Sequence, residues 1–185
     1  MRLNFIALFL FVGQILRGQS SDTFLISNSE IKSFIKDSRH ILFSGKTLRL
    51  SDKPYVLLSQ SFLEKTAVKD SIFSKADVEF IMKQIEQRKN LLWSSEFIDD
   101  VTVIKSNDID SLFRNSKIDA WNVFYKKYGG DFKEISFPYF SQDKQTCIIY
   151  ISNHCGWLCG EGGIRIYKRK NNVWVLYKSI EQWVS

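Results

Sequence analysis

The stretch TCIIYISNHCGWLCGEGGIRIYKRKNNVWVLYKS, residues 146–179, decides the fold. Apolar and polar residues alternate with a period of two in TCIIYIS, GIRIYKRK and VWVLYKS, which is typical of β-strands. The preceding run EISFPYF, residues 134–140, adds a fourth strand, and Pro138 places that strand at a sheet edge or at a bulge. SQDKQ and KNN are the expected hairpin turns, and residues 153–163 are expected to form a longer connection between the second and third strands.

Helical patterns precede these strands. Apolar residues recur at intervals of three and four in the runs SNSEIKSFIKDSRH, SKADVEFIMKQIEQRK and SKIDAWNVFYKKYGG. Ser27, Asn28 and Ser29 are cap-forming residues at the start of the first helix, Ser74 is the expected N-cap of the second, and Gly129 and Gly130 are expected to stop the third. VTVIK, residues 101–105, predicts a further strand, whereas the short pieces ILF, TLRL and YVLL fit either strands or extended packing segments.

The order of these elements predicts an α+β fold, in which N-terminal helices pack on a C-terminal, antiparallel, four-stranded meander. A curved sheet wrapped on helices, as in the nuclear-transport-factor-2-like and cystatin-like folds, would satisfy this pattern. That comparison is an architectural analogy and implies no function.

The N-terminal run MRLNFIALFLFVGQILRGQSSD has the pattern of a secretory signal peptide, because Arg2 precedes an apolar run too short to span a bilayer. Cleavage before Gln19 divides the chain into a signal peptide, residues 1–18, and a single α+β domain, residues 19–185. Cleavage after Ser20 is the alternative. The absence of a cysteine near this site argues against a lipoprotein, and we expect an exported protein, either periplasmic or extracellular.

The net charge of the chain is +6, and removal of Arg2 and Arg17 with the signal peptide would lower it to +4. Such a moderate positive charge permits attraction to anionic surfaces but does not indicate a specific nucleic-acid partner. The basic run Arg165 to Lys170 fits a strand that leads to a charged hairpin turn better than a phosphate-binding segment. No segment after the signal peptide is apolar and long enough to span a membrane.

The segment HCGWLCGEGG, residues 154–163, contains two of the three cysteines of the chain. In an extended strand, Cys155 and Cys159 would lie roughly 13 Å apart, so a disulfide requires the chain to reverse direction between them. Gly156 allows such a reversal, and an oxidising compartment would preserve the bond. We therefore predict a structural disulfide between Cys155 and Cys159.

Two other chemistries compete for this segment. A metal site could use His154, Cys155, Cys159 and Glu161, but the second ligand pair of a usual zinc site is missing, and we predict no metal. A thiol-redox centre would have Cys-x-x-Cys spacing, which is one residue shorter than the spacing here. No cofactor-binding motif is present, and we expect no cofactor. Cys147 fits a small core residue on its strand.

The C-terminal residues resemble a pattern found in uncharacterised small exported bacterial proteins. In that pattern an F-S-x-D strand end is followed by a second strand, a C-G-x-x-C-G-x-G loop and a hairpin whose return strand contains a tryptophan. The matching residues are Phe140, Ser141, Asp143, Cys155, Gly156, Cys159, Gly160, Gly162 and Trp174. The resemblance implies export and the antiparallel sheet, and it brings no catalytic assignment.

These observations favour an exported, non-enzymatic binding or interaction domain that recognises a ligand or another protein. The first alternative is a small hydrolase or lyase with a pocket between helix and sheet, in which Glu161 or His154 acts as acid or base. The second alternative is a thiol-redox protein. Glu161 is the one residue of the glycine-rich segment without an obvious packing role.

Overall fold

The computed structural model describes residues 24–43, 48–55, 58–65, 70–115 and 119–185, so the predicted signal peptide lies outside the described residues. The described residues form an α+β fold with five α-helices and seven β-strands. In chain order the elements are α1 (Asn28–Leu42), β1 (Leu48–Ser51), α2 (Gln60–Leu63), α3 (Lys75–Arg88), β2 (Val101–Ile104), α4 (Ser106–Phe113), α5 (Ala120–Tyr128), β3 (Phe132–Ile135), β4 (Tyr139–Phe140), β5 (Thr146–Gly156), β6 (Cys159–Lys170) and β7 (Val173–Val184). None of the described helices is both long and apolar enough to cross a membrane.

The strands form one mixed sheet in the order β2-β1-β3-β5-β6-β7, and the short strand β4 pairs with β5. β1 runs parallel to both β2 and β3, whereas the strands from β3 onward pair antiparallel. The predicted C-terminal antiparallel strands are therefore present, but the prediction of a four-stranded sheet is corrected, because β1 and β2 extend it on one side. Each of these two strands has only four residues, which is too short a pattern to indicate its partners.

Pro138 divides the predicted strand 134–140 into two. β3 ends at Ile135, which pairs with Ile151, and β4 begins at Tyr139, which pairs with Ile148. Because proline has no backbone N–H, it cannot donate to the ladder, and the sequence-based expectation of an irregularity at Pro138 is confirmed.

The predicted helix ends are set by local hydrogen bonds. Ser27, one of the three predicted cap-forming residues, forms a capping box with Glu30, and Ser74 forms one with Asp77, so the predicted N-cap Ser74 is confirmed. Gly129 ends α5 in the left-handed conformation with a φ of +78°, which an L side chain rarely adopts.

Helices cover both faces of the sheet. On one face, Phe34 of α1 packs edge-to-face against Tyr167 of β6, with ring centroids 5.7 Å apart. On the other face, Phe124 of α5 packs against Phe132 of β3 at 5.1 Å. Successive residues at the start of β5, from Thr146 to Ser152, are buried on both faces, which accounts for the nearly continuous apolar run CIIYI.

Candidate functional site

The β5–β6 hairpin is longer than the sequence predicts. Gly156 pairs with Cys159, so only Trp157 and Leu158 remain in the turn, and the predicted connection over residues 153–163 is wrong. The glycines of this segment suggest a loop, but in the structure they allow a side chain of the neighbouring strand to pack closely against the backbone. A Cβ atom at Gly162 would lie 2.6 Å from Nε1 of Trp183 on the neighbouring strand β7.

Cys155 and Cys159 lie at the end of this hairpin. Their Cα atoms are 5.0 Å apart and their sulfur atoms are at disulfide-bonding distance. The chain reverses direction between them, as the predicted bridge requires. Gly156 allows the reversal with a φ of +150°.

The cysteine pair leads to a testable expectation about thiol reactivity. After denaturation without reductant, we expect only Cys147 to react with a thiol label, and all three cysteines to react after reduction. Intact-mass measurement counts the labels, and the Cys147→Ser variant should take none before reduction. Replacing Cys155 and Cys159 together by serine should lower the free energy of unfolding by about 2 kcal/mol, because the closed loop is short. Three reactive thiols before reduction would contradict the bridge.

The turn between the cysteines exposes two large apolar side chains. Trp157 is 65% exposed and Leu158 is 89% exposed. We call these two residues the hairpin tip. The base of the tip is held by α4 and α5, because the Phe113 ring lies 6.2 Å from the Trp157 ring and the Tyr125 hydroxyl donates to the Cys155 carbonyl. The hairpin tip is therefore an exposed apolar surface whose base is held in place by two helices.

His154 lies on the α5 face of the sheet, in a cluster of polar side chains. Its Nε2 atom is 3.0 Å from Oε2 of Glu134 and 3.1 Å from Oγ of Ser152, and its ring stacks on Phe132. A serine–histidine–carboxylate relay places the carboxylate and the hydroxyl on different ring nitrogens. In this cluster they share one nitrogen, so the arrangement holds the histidine in place and does not form a relay.

Glu161 lies on the opposite face from His154. Its register partner is Asn153, the residue before His154 on β5, and successive side chains of a strand point to opposite faces. The two predicted acid–base candidates are therefore separated by the sheet. Glu161 lines a cavity of about 370 Å³ between the last turn of α1 and the sheet.

Besides Glu161, polar residues that were not predicted as site residues line this cavity. We call it the α1–sheet cavity, and its polar walls include Lys133, Asn153, Glu161 and Arg165. Lys133 stands between Phe132 and Glu134 in a short strand and gives no sequence signal. Asn153 falls in the segment predicted to be a loop. Only the corrected strand boundaries reveal that these side chains share one face.

The geometry also bears on the metal and thiol alternatives. Within the ranges that the structure describes, no group of three or more histidine, cysteine, aspartate or glutamate side chains could hold a metal ion. Cys147 is fully buried, and this burial raises the pKa of its thiol. It precedes Cys155 by eight residues on β5, a distance of roughly 26 Å, so it cannot serve as a resolving thiol for the pair.

Comparison of the chain with protein-family models, curated proteins and solved structures finds no match. The resemblance to small exported bacterial proteins and the curved-sheet analogy therefore remain predictions. The features of the described residues that bear on function are the hairpin tip, the His154 cluster and the α1–sheet cavity.

Proposed function

We propose that the chain is an exported, non-enzymatic interaction domain that contacts a partner protein through the hairpin tip. The observation that supports this proposal is the exposure of Trp157 and Leu158 at the end of a hairpin closed by a cysteine pair. Tryptophan is among the residues that contribute most binding energy when they are buried in an interface. An adjacent exposed leucine enlarges the apolar surface that a partner could cover.

Preorganisation favours the tip as a contact surface. Binding costs conformational entropy whenever a loop must become ordered, and a loop closed before binding avoids much of that cost. Here the paired Gly156 and Cys159, the cysteine bridge and the Tyr125 hydrogen bond all restrict the turn. The complementary partner is a protein with an apolar pocket wide enough for an indole ring.

Export is supported by two independent features. The N-terminal residues have the pattern of a signal peptide, and a cysteine pair at bonding distance is compatible with an oxidising compartment. The partner is accordingly proposed to reside in the periplasm or outside the cell.

Replacing both residues of the hairpin tip tests the proposal. The double variant Trp157→Ser, Leu158→Ser should weaken partner binding by about tenfold or more, because it removes the apolar contact. Its thermal unfolding should remain close to that of the wild type, because neither side chain is buried. The measurement is quantitative capture from the exported fraction of the native host, followed by binding of the purified partner.

Leu92→Ser is the matched control, because Leu92 is also exposed but lies away from the hairpin, after α3. It should capture the same partner as the wild type. Equal capture by the wild type and the tip double variant would contradict the proposal. Association of the wild type with lipid vesicles, lost in the double variant, would replace the protein partner by a membrane surface.

The enzymatic alternative keeps one supporting observation, the position of Glu161 in a cavity between helix and sheet. An acid–base role would have to be carried by Glu161 without His154, since the two lie on opposite faces. The thiol-redox alternative has less support, because Cys147 is remote from the pair and buried. Interaction through the hairpin tip is therefore the preferred function.

A further inference from the structure

The α1–sheet cavity lies apart from the hairpin tip and collects polar side chains from three neighbouring strands, of which those from β3 and β6 are charged. Lys133 of β3 pairs with Asn153 of β5, which in turn pairs with Glu161 of β6. Register partners in an antiparallel ladder project from the same face. These three side chains therefore form a row across one end of the sheet, beneath the last turn of α1.

Lys133 is a buried cation in this row. Only 6% of the residue is exposed, although it lines the cavity. Its Nζ atom donates to Oδ1 of Asn153 at 2.8 Å and lies 3.7 Å from Oδ2 of Asp131. An ammonium group has three donors, and among the described residues only the bond to Asn153 has hydrogen-bond length. Burying a charge with so few partners is costly unless another group supplies them.

Arg165 adds a second cation to the same cavity. Its Nη1 atom donates to the carbonyl of Ile41 at 3.2 Å, which ties the guanidinium group to the last turn of α1. Guanidinium has five donors and suits the oxygen atoms of carboxylates and phosphates. Burial lowers the pKa of Lys133, Asp131 and Glu161 oppose this effect, and the charge of Arg165 lowers the pKa further. The nearby carboxylates therefore offset only part of the cost of burying the Lys133 charge, and Arg165 adds a small repulsion.

We propose that the α1–sheet cavity binds the carboxylate or phosphate group of a small organic ligand, with Lys133 and Arg165 as its cationic contacts. An oxyanion there would supply the missing acceptors of Lys133 and relieve the repulsion between the two cations. The remainder of the ligand would contact the apolar parts of Ile41, Leu176 and Trp183, which also line the cavity. Glu161 repels the anion and limits its affinity.

Titration of the full mature domain with inorganic phosphate and with succinate tests this site, with calorimetry or amide chemical shifts as the readout. Lys133→Met should weaken anion binding by about tenfold or more, because a charged hydrogen bond is lost. Glu161→Gln should strengthen binding by about threefold, because a repulsive carboxylate is removed. Lys170→Met is the control and should bind like the wild type, since Lys170 lies at the other end of β6.

The two substitutions are expected to change the anion affinity in opposite directions. The test therefore remains decisive even where Lys133→Met folds poorly. Glu161 is exposed, so Glu161→Gln should fold normally and still bind more tightly. Failure of both anions to bind the wild type at about 10 mM, or weaker binding by Glu161→Gln, would overturn the proposal. The tighter of the two anions identifies the ligand group. The hairpin-tip double variant should bind anions like the wild type, so failure of either proposal leaves the other standing.

Discussion

Replacement of Trp93 by alanine is expected to lower the free energy of unfolding by about 4 kcal/mol, the largest effect predicted for this chain. Trp93 is 2% exposed and lies between Phe97 and Phe137, with ring centroids 5.7 Å and 4.3 Å away. Its indole Nε1 donates to the carbonyl of Ile135 at 3.1 Å. Alanine would leave a cavity among these rings and remove one of two donors to this carbonyl, which also accepts from the N–H of Tyr55 at 3.0 Å.

Two other tryptophan variants separate the contribution of the buried ring volume from that of the Nε1 hydrogen bond. Trp93→Phe retains most of the ring volume but loses the Nε1 hydrogen bond, so it should lower stability by about 0.5–1.5 kcal/mol, since the Ile135 carbonyl keeps the Tyr55 N–H as a donor. Trp157→Ala removes the same side chain from an exposed position and should change stability by less than about 0.5 kcal/mol. Urea unfolding followed by circular dichroism measures all three without dependence on tryptophan fluorescence. A loss below about 1 kcal/mol in Trp93→Ala would contradict the described packing.

Trp93 also links two strands of the sheet. Its backbone N–H donates to the carbonyl of Asp52 at 2.7 Å, directly after β1, and its indole N–H reaches Ile135 at the end of β3. It therefore ties together the ends of two strands, one of which carries Lys133.

The fold is predictable from the sequence wherever the signal is local. The capping serines Ser27 and Ser74, the stop at Gly129 and the period-two runs each depend on residues close in the chain. The partners of β1 and β2 depend on parallel pairing across long intervening segments, which a four-residue pattern does not encode. The mixed sheet was therefore not predictable from patterning alone.

The functional surfaces are predictable to a smaller extent. Cysteine spacing and glycine content predict the reversal at Cys155 and Cys159, but the same glycines mislead about the strand ends. Gly160 and Gly162 lie beneath the ring of Trp183, a residue that reaches them only through the β6–β7 pairing. Because strand ends determine which residues share a face, the error at the hairpin also concealed the row that contains Lys133 and Glu161.

Gln84→Ala is expected to lower the free energy of unfolding by about 3 kcal/mol, because it leaves two buried backbone groups without partners. Gln84 is 1% exposed and lies on the buried face of α3. Its Oε1 accepts from the N–H of Phe140 at 3.0 Å, and its Nε2 donates to the carbonyl of Phe140 at 2.8 Å. The side chain thus acts as a substitute strand partner for β4.

Gln84→Leu distinguishes this role from simple packing. Leucine fills most of the space but offers neither donor nor acceptor, so the variant should remain destabilised by about 2–4 kcal/mol. Gln84→Glu retains an acceptor for the Phe140 N–H but buries a charge, and it should be no more stable than Gln84→Leu at neutral pH. Lys83→Ala, an exposed position on the same helix, should change stability by less than about 0.5 kcal/mol. Wild-type stability in Gln84→Leu would show that volume, and not the paired hydrogen bonds, holds β4 against α3.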